Sequence, residues 1–231
     1  MQPLHNNQLL HYNIADEVTA FSTMREATLP FPVLQPHQTH DDCVVVVDNP
    51  AMTRADLEGV DALVTAIPGF AIGVRTADCV PVLLYDPCHK VVAAIHSGWR
   101  GTVARISQKT IRVMAEQFGT VASDIKGVIG PCIGPDSFQV GQEVAEEFRN
   151  AAFPMEEILS DRGKRVEGTM QGGLHIDLWQ ANRWLLTEMG VQDCNIQTAG
   201  ICTYQHNELF FSARHEGRHC GRIINCIKLG N

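Results

Sequence analysis

The sequence lacks any long hydrophobic run and any excess of positive charge. No window approaches the roughly 18 consecutive apolar residues of a membrane span, and the first residues do not join a basic stretch to an apolar one as a secretory signal does. Lys and Arg total 18 against 26 Asp and Glu, a formal net charge of −8, which argues against a general binder of nucleic acid or anionic membranes. We therefore expect a cytoplasmic protein with a small-molecule or protein partner.

Several common catalytic signatures are also missing. The sequence has no P-loop, no GxGxxG, no GxSxG and no C-x-x-C. His206 and Glu208 form an H-x-E, but the P-C-x-x-C of nucleobase deaminases does not follow. His215 and His219 lie four residues apart in a segment rich in Gly and Arg, and we interpret them as surface histidines. Eight cysteines spread through a long chain predict reduced thiols rather than a disulfide framework.

Short apolar runs predict strands that are covered on both faces, because a half-exposed strand would alternate apolar and polar residues. The predicted strands are residues 43–47, 71–74, 80–85, 91–95, 125–129, 209–213 and 223–229. Helical spacing predicts helices from about residue 102 to 118, over 142–150 and over 175–189, and 160–173 is typical of a surface loop. Strands before and after the helices predict one α/β (α+β) domain over 1–231, with layered mixed β-sheets and helices.

Three candidate reactive residues lie at the ends of predicted strands. His40 precedes the first run, Cys79 separates two buried runs, and His96 ends the next one. A short connection between the strands of Cys79 and His96 predicts a hairpin, which would bring the thiol and the imidazole to one edge. A thiolate with two imidazoles fits a catalytic zinc site with one open position. Cys79 and His96 alone also fit a nucleophile with its general base.

Four phrases, in order, give the sequence a family resemblance. They are VRTADCVPVLLYD, AAIHSGWRGT, IGPCIG followed by SFQVGQEV, and FFSARHEGRHCGR. They resemble the YfiH/YlmD-type family, also called the laccase-domain or multicopper polyphenol oxidase family, whose members are described as purine nucleoside phosphorylases. The resemblance covers residues 38–229. The N-terminal segment, residues 1–37, is shorter than in the family and lacks its double glycine, which affects the substrate contacts that this segment supplies.

The resemblance implies a metal site formed by His40, Cys79 and His96, with zinc as the metal and copper as the alternative. It implies phosphorolysis of adenosine, inosine and methylthioadenosine, with adenosine deamination as a second activity, so nucleoside and phosphate are the expected partners. Arg100 and Arg214 match family arginines and are candidates for a phosphate or ribose contact. Asp78 is a candidate to orient a ligand or shuttle a proton. The implied fold is similar to the catalytic domain of the cytotoxic necrotizing factor toxins.

Three alternatives stay open. The first is a metal-free cysteine hydrolase or amidase that uses Cys79 and His96. The second is a copper polyphenol oxidase, which is disfavoured because laccase copper sites use His-x-His pairs and the sequence has none. The third is a non-enzymatic module in which the same trio holds a structural zinc.

Overall fold

The fold contains three β-sheets and six α-helices within residues 8–164 and 172–230, the part of the chain that the computed structural model describes. The strands are β1 (Leu9–Tyr12), β2 (Val18–Thr23), β3 (Val44–Val46), β4 (Ala62–Thr65), β5 (Ala71–Thr76), β6 (Val80–Asp86), β7 (Val91–Ser97), β8 (Lys126–Ile129), β9 (Gln139–Val140), β10 (Leu159–Asp161), β11 (Leu174–Ile176), β12 (Ile196–Thr198) and β13 (Ile223–Leu229). The helices are α1 (Trp99–Val103), α2 (Ile106–Phe118), α3 (Gln142–Asn150), α4 (Met155–Ile158), α5 (Leu178–Glu188) and α6 (Ala213–Glu216). Short 3-10 helices cover Arg54–Asp56, Ala122–Asp124 and Asp193–Asn195.

The central sheet has six strands in the order β12-β8-β6-β7-β4-β3. Its two outer pairs, β12 with β8 and β3 with β4, are parallel, and the inner pairs are antiparallel. A second sheet has the order β1-β2-β13-β5, and a small third one has the order β10-β11-β9. The mixed sheets with helices confirm the predicted fold class.

Both faces of the central sheet are buried, which explains the continuous apolar runs of its strands. In β6, Val82 and Leu84 belong to the core cluster that also contains residues of α2 and α5. Leu83 and Tyr85 alternate with them and pack with residues of the four-stranded sheet. The central sheet therefore lies between a helical layer and a second sheet.

The helix predicted from about residue 102 to 118 is two helices. Arg105 separates α1 from α2 with a φ of 62°, a left-handed conformation that interrupts the helix. Its guanidinium donates hydrogen bonds to Glu188 (2.6 Å) and to the carbonyl of Ala151 (2.9 Å). The break thus lets one side chain tie α2 to two neighbouring segments. Gly119 ends α2 with a φ of 76°, in agreement with the predicted stop.

Other boundaries differ from the predictions. The strand predicted at 209–213 is wrong, because the chain turns there and Ser212 caps α6 by accepting a hydrogen bond from the His215 amide. The helix predicted at 175–189 starts later, after β11, where Asp177 caps α5. The predicted loop at 160–173 begins with the last residues of β10, and its residues 165–171 lie outside the described residues. No helix of the described chain has the length and apolar character that crossing a membrane requires.

Candidate metal and anion site

Strand pairing brings Cys79 and His96 together. Cys79 immediately precedes β6, and His96 lies near the end of β7. The two strands pair antiparallel, with Pro81 opposite His96 and Val80 opposite Ser97, which confirms the predicted hairpin. Side chains from the end of β7 and the start of β6 therefore meet at one end of these two inner strands.

A buried carboxylate, Asp61, holds the His96 ring in place. Asp61 directly precedes β4, whose first residue Ala62 pairs with Ile95 of β7, so Asp61 lies beside His96. The Asp61 Oδ1 and the His96 Nδ1 are 2.6 Å apart, and the His96 amide donates to the Asp61 carbonyl at 2.8 Å. This hydrogen bond leaves the His96 Nε2 for the site, as carboxylates do behind histidine ligands of metals.

Asp61 also anchors the loop that carries His40. Its carboxylate accepts hydrogen bonds from the backbone amides of Thr39, His40 and Asp41, each at 3.1 Å. Gln38 fixes the other side of the loop by exchanging two 2.8 Å hydrogen bonds with the backbone of Arg75. One carboxylate thus positions both histidines. The sequence pattern did not single out Asp61, and its one signal is an acidic residue directly before the apolar residues Ala62, Leu63 and Val64.

His40, Cys79 and His96 converge, and we call them the His-Cys-His cluster. One ligand atom from each lies within 4.8 Å of the others, the only such group of three or more His, Cys, Asp or Glu side chains among the described residues. The two imidazole rings meet edge to face with centroids 4.8 Å apart. A Cβ on Gly98 would lie 3.1 Å from the Cys79 sulfur and 3.6 Å from the His40 ring, so glycine keeps the space beside the cluster open.

The donor set of the cluster fits a transition metal. Thiolate and imidazole are ligands that zinc prefers, and three protein ligands are typical of catalytic zinc sites. His40 has a φ of 65°, an uncommon backbone conformation that histidine tolerates better than most residues. The backbone strain is held by the three hydrogen bonds to Asp61, which is how strained residues persist at functional sites.

Charge interactions make Cys79 and His96 an ion pair. Burial acts to raise the pKa of the Cys79 thiol, but the charge of His96 and hydrogen bonds from both histidines outweigh it and lower the pKa to about 6. Burial acts to lower the pKa of His96, but Cys79 and Asp61 attract its proton and raise the pKa to about 9. At neutral pH the metal-free pair is therefore thiolate and imidazolium.

The cluster lies in the wall of a cavity of about 980 Å³ that is rich in arginine. Among the described residues, six arginines line it, together with one carboxylate, Asp78, and no lysine. The arginines are Arg54, Arg75, Arg100, Arg214, Arg218 and Arg222. Since the whole chain carries a net charge of −8, this concentration of cations is local, and it favours an anionic ligand.

The structure places Arg100, Arg214 and Asp78 in the cavity wall. The Arg100 guanidinium lies 4.3 Å from the Trp99 ring centroid, and that of Arg214 lies 5.5 Å from the Phe138 ring centroid. Both carboxylate oxygens of Asp78 accept hydrogen bonds, from the Thr203 hydroxyl (2.7 Å) and the Arg214 amide (2.6 Å). Asp78 therefore joins the turn before Cys79 to the C-terminal segment.

Residues 215–219 read His-Glu-Gly-Arg-His, the HExxH pattern of zinc proteases. That pattern needs both histidines on one face of a helix, but α6 ends at Glu216 and Gly217 follows with a φ of 90°. The His215 ring packs against Tyr204, Glu216 binds Arg25, and His219 lines the cavity. The two histidines therefore do not form a second metal site. Both residues are exposed, which confirms the predicted surface position.

Known proteins resemble this chain over most of its length. A family model described as multi-copper polyphenol oxidoreductase laccase matches residues 12–230. A purine nucleoside phosphorylase of Bacteroides thetaiotaomicron is 42% identical over 207 residues, which are 87% of this chain and 74% of the relative. Adenosine deaminase RL5, from an unknown prokaryotic organism, is 42% identical over 201 residues, covering 84% and 74%. The crystal structure of the hypothetical protein YfiH of Bacillus licheniformis has a TM-score of 0.84 at 26% identity and covers 98% of each chain.

Proposed function

Because this chain belongs to the multi-copper polyphenol oxidoreductase laccase family, and its relatives carry the names of purine nucleoside enzymes, we propose that it is a zinc-dependent purine nucleoside phosphorylase with adenosine deaminase activity. Adenosine, inosine and methylthioadenosine are the proposed nucleosides. The observation that carries the proposal is the His-Cys-His cluster in the wall of a cavity that is rich in arginine.

The cluster would hold the zinc through His40, Cys79 and His96. A bound zinc ion supplies a Lewis acid and activates a nucleophile at neutral pH. Asp61 fixes the His96 tautomer through Nδ1 and fixes the His40 loop through the backbone. No fourth His, Cys, Asp or Glu of the described residues joins the group, which favours a catalytic site over a closed structural one.

The cavity wall provides the contacts that nucleoside and phosphate need. Trp99 and Phe138 offer aromatic faces for a purine ring. Arg100 and Arg214 each lie beside one of these rings, so a phosphate bound by them would be next to the nucleoside. In phosphorolysis a phosphate oxygen attacks C1′ of the ribose while the purine leaves with the electrons of the glycosidic bond. The positive charge of the arginines favours binding of the phosphate.

The direct test is product analysis with the zinc-loaded protein. Adenosine with phosphate is expected to give adenine and ribose 1-phosphate, and adenosine without phosphate is expected to give inosine and ammonia. Omission of phosphate should abolish the first reaction only. Absence of both adenine and inosine under either condition would contradict the proposal.

The ion pair of Cys79 and His96 favours a second candidate, a metal-free cysteine hydrolase or amidase. Cys79, His96 and Asp61 have the order of roles found in catalytic triads: nucleophile, base and orienting carboxylate. Chelation separates the candidates. A zinc enzyme loses activity with its metal and regains it on adding zinc, whereas a thiol hydrolase stays active after chelation and is stopped by alkylation of Cys79.

Copper polyphenol oxidation is the weakest candidate for this chain. Several copper ions need several ligand groups, and within the described residues only the His-Cys-His cluster was found. Oxidation of a phenol by the copper-loaded protein, at a rate above that of its purine reactions, would reverse this order.

A further inference from the structure

Three of the cavity arginines form a group of their own, Arg54, Arg75 and Arg222, which we call the arginine trio. Arg75 lies on β5, and Ile224 of β13 is its partner in the sheet, so Arg222, two residues earlier, lies at the same edge. Arg54 begins a 3-10 helix, and all three side chains line the one cavity. Arg100 and Arg214 lie elsewhere in the wall, beside Trp99 and Phe138.

The arginine trio lacks carboxylate partners. Within residues 8–164 and 172–230, no Asp or Glu oxygen is within 4.0 Å of these three guanidinium groups. Arg222 is held in place by backbone carbonyls instead, those of Arg218 (2.8 Å), Cys220 (2.5 Å) and Gly221 (2.9 Å). Its carbonyl partners are neutral, so its charge is not compensated.

Arg75 is fixed by a different contact. Gln38 holds its backbone amide and carbonyl, and the side chain is half-buried. Burial lowers the pKa of the Arg75 guanidinium, and repulsion from Arg54 and Arg222 lowers it further. Three cations that repel one another without an internal counter-charge are stabilised when an anion binds between them.

We propose that Arg54, Arg75 and Arg222 form a phosphate subsite of the cavity, separate from Arg100 and Arg214. Its ligand is a phosphate dianion, supplied either as free inorganic phosphate or as the phosphate ester of a nucleoside monophosphate. Guanidinium groups suit this ligand because each can donate two parallel hydrogen bonds to phosphate oxygens. The choice of phosphate as the anion rests on the proposed function, whereas the presence of an anion subsite rests on the arginine trio alone.

The test is calorimetric titration of the zinc-loaded protein with inorganic phosphate, adenosine 5′-monophosphate and adenosine. The variants are Arg54→Gln and Arg75→Gln, since Arg54 is exposed and the contacts of Arg75 with Gln38 use its backbone. Arg112→Gln, an exposed arginine of α2 outside the cavity, is the matched control. A Cys79→Ser arm shows whether the metal, rather than arginine, holds the anion.

Each trio variant is expected to weaken phosphate or monophosphate binding about tenfold or more, while adenosine binds as before and the Arg112→Gln control is unchanged. If the trio variants bind inorganic phosphate more weakly, the free ion is the ligand. If they bind only the monophosphate more weakly, the phosphate ester is the ligand. Three results would overturn the subsite. The first is that both trio variants bind phosphate and the monophosphate with unchanged affinity. The others are an equal loss of anion affinity in Arg112→Gln, or a loss of anion affinity in Cys79→Ser alone.

Product analysis and anion titration of the same zinc-loaded protein distinguish failure of the subsite from failure of the proposed function. Binding that depends on the arginine trio, without any purine product from the wild type, would remove the proposed function and leave the subsite. Phosphorolysis by the wild type with no effect of the trio variants on anion binding would do the reverse.

Discussion

The cavity has two walls that are built differently. Cys79 and His96 lie at paired strand ends of the central sheet, where the register of β6 and β7 fixes their separation. The arginines lie mainly on loops and short segments, with Arg218 and Arg222 in the segment between α6 and β13. Reacting groups need fixed geometry, which strands supply, whereas a charged ligand is attracted over a distance and tolerates looser placement. We call Cys79 and His96 the strand wall and the six cavity arginines the arginine wall. The difference predicts that changes to the strand wall reduce turnover, and that changes to the arginine wall reduce ligand affinity.

The largest effect is expected for Cys79→Ser. Loss of a proposed zinc ligand should reduce both bound zinc and kcat/KM by more than about 100-fold, because loss of a mere partner of a ligand costs about 10–100-fold. Zinc content and product formation are the measurements. Cys194→Ser, an exposed cysteine, is the control and should retain both. Full zinc content and activity in Cys79→Ser would show that Cys79 neither binds the zinc nor takes part in the reaction.

Asp61→Asn should come next, with a loss of about 10–100-fold in zinc affinity. The change weakens the hydrogen bond to the His96 ring and the three amide contacts that hold the His40 loop. Competition with a chelator measures the affinity, and Asp48→Asn, an exposed carboxylate, is the matched control. An Asp61→Asn protein that binds zinc like the wild type would show that the cluster positions itself without this carboxylate.

Alkylation of the metal-free protein tests the electrostatics of the strand wall. The folded-state pKa of Cys79 is lowered, so its thiolate persists as pH falls from 8 to about 6 and is lost below that. The pKa of Cys43 is raised by burial and by Asp61, Asp41 and Asp42. At pH 7 Cys79 should react with iodoacetamide on the order of tenfold faster than Cys43, as measured by peptide mass spectrometry. Zinc should block the reaction at Cys79, and equal rates at both thiols would refute the ion pair.

An effect of about tenfold on the KM for phosphate is expected for Arg100→Gln in the arginine wall. Removing one charged hydrogen-bond donor should raise the KM for phosphate and leave kcat within about twofold. Steady-state kinetics at varied phosphate provides the measurement. A fall in kcat with an unchanged KM would contradict the predicted difference between the two walls, because Arg100 would then stabilise the transition state rather than bound phosphate.

The smallest effect is expected for His215→Ala. His215 belongs to the HExxH pattern, but its ring packs on Tyr204 outside the His-Cys-His cluster. Zinc content should stay the same and activity should stay within about twofold. A loss of zinc from His215→Ala would mean that the pattern binds metal despite the end of α6 at Glu216.

Local patterns predicted the central strands and α3 well, since buried strands and amphipathic helices leave periodic signals. The hairpin of β6 and β7 was predictable for the same reason, and it brought two of the three cluster residues together. The break at Arg105 and the turn at 209–213 were not predictable, because each depends on distant partners. Arg105 reaches Glu188 and Ala151, and Leu209 accepts a hydrogen bond from the Arg25 amide.

The sequence by itself determined the class of chemistry, because residue types carry it: a thiol, imidazoles and arginines in recognisable phrases. It also determined the continuous apolar runs that form the central strands, which are buried on both faces of the sheet. Only the tertiary structure decided that Asp61 holds both histidines, that the HExxH letters do not form a site, and that arginines from distant segments share one cavity. The reason is physical: a side chain's neighbours across the fold set its charge, orientation and partners, and these neighbours lie far away in the chain.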